Sequence, residues 1–295
     1  MSELLQQFFH LLGDGLSDRD HVRSVLIEEV IFPTYRREKL LLTAGTRFIP
    51  MYVLVPRNSK KCPAILAHHQ HNGEYQFGKS EPAGIVGNSN MRYAHFFVEQ
   101  GFIVATWDAI GFEERNNSLF GKAHEQFLGT KALVEGACLQ RDYTLDAMYV
   151  VDYLVSRDDV QTDCLATVGH SLGGQNVLFT LCADQRVRVG VSSCGIGTIQ
   201  SFIEDNVQHN IAWYVPGLLK LGDIPGLAPL LEGKSLFLSQ GLRDRLFPIR
   251  GVREFVHAAK KYAQVELYLF DGGHDFPEEA RAEASRFLSE RFADF

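Results

Sequence analysis

The sequence predicts one α/β unit: a mostly parallel, doubly wound sheet with an antiparallel N-terminal start and a helical, cap-like insertion. Three observations lead there. From residue 64 onward, short wholly apolar runs alternate with amphipathic stretches of helical length, the pattern of parallel strands buried on both faces. Ahead of them, runs rich in Val, Ile and Phe are separated by turn residues and read as antiparallel strands. Finally, residues 198–233 lack strand character and contain Pro216, Pro225 and Pro229, a length that inside a folded unit marks a lid or functional insertion.

The elements follow in chain order. Residues 2–12 form a helix whose apolar stripe is Leu4, Leu5, Phe8, Phe9, Leu11 and Leu12, stopped at Gly13. Strands are expected over Val25–Phe32, Lys39–Thr43 and Phe48–Val55, broken by Pro33 and Gly45. The buried strands lie at 64–68, 102–107, 165–170, 187–193, 235–240 and 265–270, with helices at roughly 90–100, 136–156, 172–183, 250–262 and 277–293. No internal repeat or low-complexity tract interrupts them.

Composition narrows the function. With 295 residues, 45% hydrophobic and 22% charged, the chain can build a sizeable core as one unit, 1–295. The net charge of −7 repels nucleic-acid phosphates, so no nucleic-acid partner is expected. No apolar run approaches the roughly 20 residues that span a bilayer. The first residues lack the basic region and small-residue cleavage site of a secretory signal, so a cytoplasmic location is expected. Five scattered cysteines, Cys62, Cys138, Cys164, Cys182 and Cys194, form no C-x-x-C pair and read as buried reduced thiols.

In doubly wound sheets the reacting groups sit at strand carboxyl ends. After LATV comes Gly169-His170-Ser171-Leu172-Gly173-Gly174, a G-x-S-x-G sequence opening a helix-forming segment. A sharp strand-to-helix turn lifts the serine hydroxyl above the sheet, and glycines flank it because side chains would collide there. A serine hydroxyl needs a base, normally a histidine held by a carboxylate. Asp244 follows the run SLFLSQ, and His274 follows VELYLF. Position favours Asp244 over Asp271 or Asp275 as the acid, and His257, the other late histidine, falls mid-helix.

Other groups have blander readings. His68, His69 and His71 could suggest a metal, but alternate strand residues face opposite ways and no carboxylate or thiol completes a ligand set. No metal and no cofactor are therefore expected. Asp108 reads as a structural strand-end carboxylate, and Glu113, Glu114 and Arg115 as a solvated rim in which Arg115 is a candidate substrate contact. Phe202, His209, Trp213 and Tyr214 are candidates for the substrate pocket or for the core of the insertion.

Over roughly residues 40–293 the chain resembles α/β-hydrolases of the dienelactone-hydrolase and acetylxylan-esterase type. The segments that carry the resemblance are His69-Gln70-His71-Asn72-Gly73, Asp108-Ala109-Ile110-Gly111-Phe112, GHSLGG, GLRDRLFP and GGHDF, together with the chain order Ser171, Asp244, His274. The resemblance implies an α/β-hydrolase fold and a serine hydrolase that cleaves a carboxylic ester, of short acyl chain, through a Ser-His-Asp triad and an acyl-enzyme. It implies backbone N–H donors to an oxyanion from His71 and Leu172. Dienelactone hydrolases use a cysteine nucleophile where this chain has Ser171, so lactone specificity is not implied. A peptidase of the prolyl-oligopeptidase type shares the catalytic order but normally adds a gating domain, for which the first 40 residues are too short. A catalytically silent ligand-binding homologue is the other alternative. The expected partner is a small-molecule ester, and homo-oligomer formation is left open.

Overall fold

The computed structural model describes residues 2–57, 61–117 and 121–293. Helix α1 (Glu3–Leu12) is capped by the Ser2 side chain, which accepts the Leu5 N–H, and ends at Gly13, whose φ of 114° favours glycine. Three antiparallel strands follow, β1 (Arg23–Ile31), β2 (Tyr35–Ala44) and β3 (Arg47–Pro56). All three run longer than the apolar clusters alone predict, because ladder pairing extends through their charged residues. β1 is an outer strand with both faces largely exposed and a register shift between Leu26 and Glu28. Such a shift twists an edge and discourages further pairing.

The alternating part contains β4 (Cys62–His68), α2 (Tyr93–Glu99), β5 (Ile103–Trp107), α3 (Gly121–Val134), α4 (Leu139–Val155), β6 (Val160–His170) and α5 (Leu172–Ala183). It continues through β7 (Val189–Ser193), α6 (Ile199–Glu204), β8 (Ser235–Gly241), α7 (Ile249–Ala259), β9 (Gln264–Phe270) and α8 (Glu278–Phe292). The sheet order is β1-β2-β3-β5-β4-β6-β7-β8-β9, parallel from β5 to β9 and antiparallel before it. Five of the six apolar strands therefore lie inside the sheet, as their continuous hydrophobicity requires, whereas β9 forms the outer edge and is only half-buried.

Two apolar layers cover the sheet. On one face α1, α4, α5, α7 and the insertion pack together through residues such as Phe8, Phe179, Trp213, Leu227 and Phe255. On the other, α2 and α8 contribute Tyr93, Phe97, Phe287 and Leu288. The insertion divides in two. Its later part, with Ile224, Leu227, Ala228 and Leu231 fully buried, is core, whereas residues 208–214 reach the sheet's carboxyl edge. Among the described residues no helix is long and apolar enough to cross a membrane. All five cysteines are buried free thiols.

α3 is a helix that the apolar pattern does not announce. Its buried positions are Glu125, Gly129 and Ala132, while Phe127, Leu133 and Val134 are exposed, an inversion of ordinary amphipathicity.

Candidate active site

Ser171 stands between β6 and α5 with φ 56° and ψ −118°, a conformation that a non-glycine residue adopts only under constraint. The constraint is visible on both sides. Ser171 N–H donates to Ser193 O at 2.9 Å, and Gln175 N–H donates to Ser171 O at 2.9 Å. A Cβ on Gly169 would come within 2.3 Å of the Gly173 carbonyl carbon, and one on Gly173 within 2.2 Å of His68 O. Only glycine allows β6, α5 and the end of β4 to converge so closely.

Asp244 lies in the loop after β8 with its side chain shielded from solvent. Its Oδ1 accepts the Leu246 and Phe247 N–H groups at 2.8 and 3.3 Å, and Oδ2 accepts Gln240 Nε2 at 3.2 Å. Its other partners include the Cys194 thiol and His274, after β9, whose Nδ1 is 2.9 Å from Asp244 Oδ2. Burial alone would raise the Asp244 carboxyl, but the His274 hydrogen bond and charge and the backbone donors hold it below the usual carboxylate range. The alternative acids are committed elsewhere. Asp271 is exposed and ion-paired with Arg243, and Asp275 accepts from Asn90 Nδ2 at 2.9 Å and from Phe276 N–H at 2.8 Å.

The His274 ring packs against His170, the residue preceding Ser171, with 4.6 Å between ring centroids. His170 is fully buried, and burial followed by the neighbouring His274 keeps it neutral, well below the ordinary histidine range.

His71 occupies a loop after β4 in which Asn72 and Gly73 both have positive φ, 45° and 69°. Leu172 is the first residue of α5 and nearly fully buried. Among the described residues neither backbone N–H donates within the protein, which leaves both available to an acceptor. The His71 ring is held from three sides, by Glu125 Oε1 at 3.0 Å from Nε2, Gly73 N–H at 2.9 Å from Nδ1, and the edge of Tyr75.

A cavity of about 680 Å³ has Ser171, His71, His209 and Tyr214 in its wall. The structure thus brings two of the four insertion candidates to the serine. Phe202 and Trp213 are buried behind them, 4.0 and 5.4 Å from the His209 and Phe202 rings respectively, and support the wall instead of forming it. Burial lowers His209 to about 4, so its Nε2 is a neutral donor to Leu246 O at 2.9 Å.

Arg115 does not line the serine's cavity. It donates to Asp108 O at 2.9 Å and ion-pairs with Asp146 beside a separate cavity of about 430 Å³ on the other side of α3. The expected solvated rim is also different in kind. Glu113 and Glu114, with Asp108, surround the fully buried Lys79 ammonium at 2.6, 2.7 and 2.8 Å. A carboxylate group able to attract a cation therefore already holds one. Cys194, Asp244 and His274 also place potential ligand atoms within 4.8 Å of one another. Burial raises the Cys194 thiol above its ordinary range.

Several residues that sequence reasoning misses come from α3. Glu125 and Lys122 line the serine's cavity, and Leu246, from the loop carrying Asp244, adds an apolar side. A helix without an apolar stripe leaves no signal from which they could be found.

No family model matches the chain. Over 307 aligned positions it is 31% identical to a Bacillus subtilis (strain 168) protein, YtaP, named as a hydrolase, covering 97% of this chain and 98% of that one. Among solved structures it is similar to acetyl xylan esterase 1 from Thermoanaerobacterium sp. JW/SL YS485, with a TM-score of 0.71, 17% identity, and 98% and 93% of the two chains covered. It is also similar to a glucuronoyl esterase from Solibacter usitatus, with a TM-score of 0.66, 12% identity, and 91% and 86% coverage.

Proposed function

The chain belongs to the α/β-hydrolase family and is a hydrolase, and from that premise we propose that it cleaves carboxylic esters of short acyl chain with Ser171 as nucleophile, His274 as base and Asp244 as the orienting acid. The observation that carries this reading is the 2.9 Å bond between His274 Nδ1 and the buried Asp244 carboxylate. That bond supports the tautomer with the ring proton on Nδ1, in which Nε2 is the proton acceptor.

The steps follow. His274 Nε2 takes the Ser171 hydroxyl proton as Oγ attacks the ester carbonyl carbon. The carbonyl oxygen becomes an anion that accepts hydrogen bonds from the N–H groups of His71 and Leu172. On collapse the C–O bond to the alcohol breaks and imidazolium protonates the leaving oxygen. Water, deprotonated by the same imidazole, then cleaves the acyl-enzyme and releases the acid. Asp244 stabilises the imidazolium in both halves and keeps its own charge. The esterase names of the structural neighbours and the motif resemblance to acetylxylan esterases support an ester substrate with a short acyl group.

The test is hydrolysis of p-nitrophenyl esters from acetate to decanoate by the wild type and Ser171→Ala, with fluorophosphonate labelling of both. Activity highest on acetate and lost with the label in Ser171→Ala is expected, and equal hydrolysis by the two proteins would refute the proposal.

A further inference from the structure

We propose that Glu125, on α3, is a positioning residue that locks the His71 loop in the form whose backbone N–H receives the oxyanion. The inference rests on the serine-esterase reading above. Glu125 is 4% exposed, and its carboxylate lies in the wall of the cavity that holds Ser171. Buried carboxylates persist where donors satisfy them, and here both donors come from one loop. His71 Nδ1 accepts the Gly73 N–H at 2.9 Å, so the ring proton resides on Nε2, which donates to Glu125 Oε1 and Oε2 at 3.0 and 3.1 Å. Tyr75 O–H donates to Oε2 at 2.8 Å.

Glu125 therefore ties positions 71 and 75 together across the two left-handed residues 72 and 73, a backbone that belongs to no strand or helix. Phe112 completes the clamp, stacked on Tyr75 at 5.2 Å and edge-on to His71 at 5.2 Å. Because three hydrogen bonds from the loop hold the carboxylate, its contribution reaches the reaction through the His71 backbone. Without it, His71 Nε2–H and the Tyr75 hydroxyl lose their common anchor, and the intervening peptide groups can turn the His71 N–H away from Ser171. Loss of one oxyanion donor costs roughly 10²–10³ in kcat, which sets the scale.

The experiment uses Glu125→Ala, Glu125→Gln and the isosteric Tyr75→Phe, with Phe127→Ala, an exposed neighbour on the same helix, as control. For Glu125→Ala we expect kcat on p-nitrophenyl acetate to fall about 10²-fold with KM within about threefold. Affinity for an aryl trifluoromethyl ketone, which forms a tetrahedral adduct with the serine, should fall by the same factor as kcat/KM. Glu125→Gln, which keeps one acceptor oxygen, should recover part of the activity, and Tyr75→Phe should lose about tenfold. Full kcat in Glu125→Ala would overturn the assignment. So would a loss in KM alone, or a loss that Glu125→Gln fails to relieve at unchanged melting temperature. If Glu125→Ala does not fold, Glu125→Gln and Tyr75→Phe decide by the same criteria. Persisting hydrolysis in Ser171→Ala would instead remove the esterase reading beneath it, so the two failures are distinguishable.

Discussion

The Phe247 ring lies parallel to the His274 imidazole, with 3° between the planes and 5.6 Å between centroids. Phe247 also donates its backbone N–H to Asp244 Oδ1 at 3.3 Å, so one residue touches both His274 and Asp244, the proposed base and acid. Behind it stand His209 at 4.8 Å and Phe202 at 5.6 Å, which connect the insertion to the catalytic end of the sheet.

If the stack orients the imidazole, Phe247→Leu, which keeps an apolar side chain and the backbone donor, should lower kcat about three- to tenfold with little change in KM. That factor corresponds to the 0.5–1.5 kcal/mol or so of an aromatic pair. Steady-state kinetics on p-nitrophenyl acetate measures it, and an unchanged kcat would reduce Phe247 to a packing role.

Asp244→Asn should reduce kcat by about 10⁴, because an amide presents a donor to Nδ1 and favours the wrong tautomer. Asp271→Asn should leave activity within about twofold, since Asp271 is exposed and pairs with Arg243. The reverse result would transfer the acid's role to Asp271.

Gly173→Ala should damage both fold and activity. Its methyl would lie 2.2 Å from His68 O, a backbone atom that yields only if the end of β4 moves. Expected are a melting temperature lowered by several degrees and kcat lowered more than tenfold. A fully stable and active variant would show that the elbow tolerates more room than its geometry gives.

Stability should fall with acid through the buried histidines. Burial, followed by neighbouring histidine charge, lowers His68 to about 3, burial lowers His69 to about 4, and His170 lies well below its ordinary value of 6.5. Their folded-state values are depressed, so below pH 6.5 the unfolded chain binds protons that the native state refuses. Stability from these groups is therefore present above pH 6.5 and declines as pH drops toward 4. His68→Gln should make the dependence of unfolding free energy on pH shallower by about one proton in that window, as measured by denaturant titration. An unchanged slope would contradict the assignment of His68 as a neutral buried imidazole.

Much of this site is legible in the sequence because its parts are local. The serine turn needs glycines within a few positions, and Asp244 and His274 each follow a continuous apolar strand, so pattern and chemistry coincide. What is not legible depends on partners far along the chain. Nothing in the sequence marks Lys79 as the lysine that Asp108, Glu113 and Glu114 close around. Arg115 reads as an exposed charge until Asp146 arrives from α4. In α3 the rule that buried means apolar is inverted at Glu125, whose burial is made tolerable by donors 50 and 54 positions away.

The most direct test of the central claim is to trap the covalent intermediate. The protein is mixed with p-nitrophenyl acetate, quenched in acid within the first turnover, digested and read by mass spectrometry. A single acetyl adduct is expected on the peptide containing Ser171, absent from Ser171→Ala and more persistent in Asp244→Asn, where deacylation also lacks an oriented base. Turnover of the ester with no adduct at Ser171, or with undiminished rate in Ser171→Ala, would contradict it.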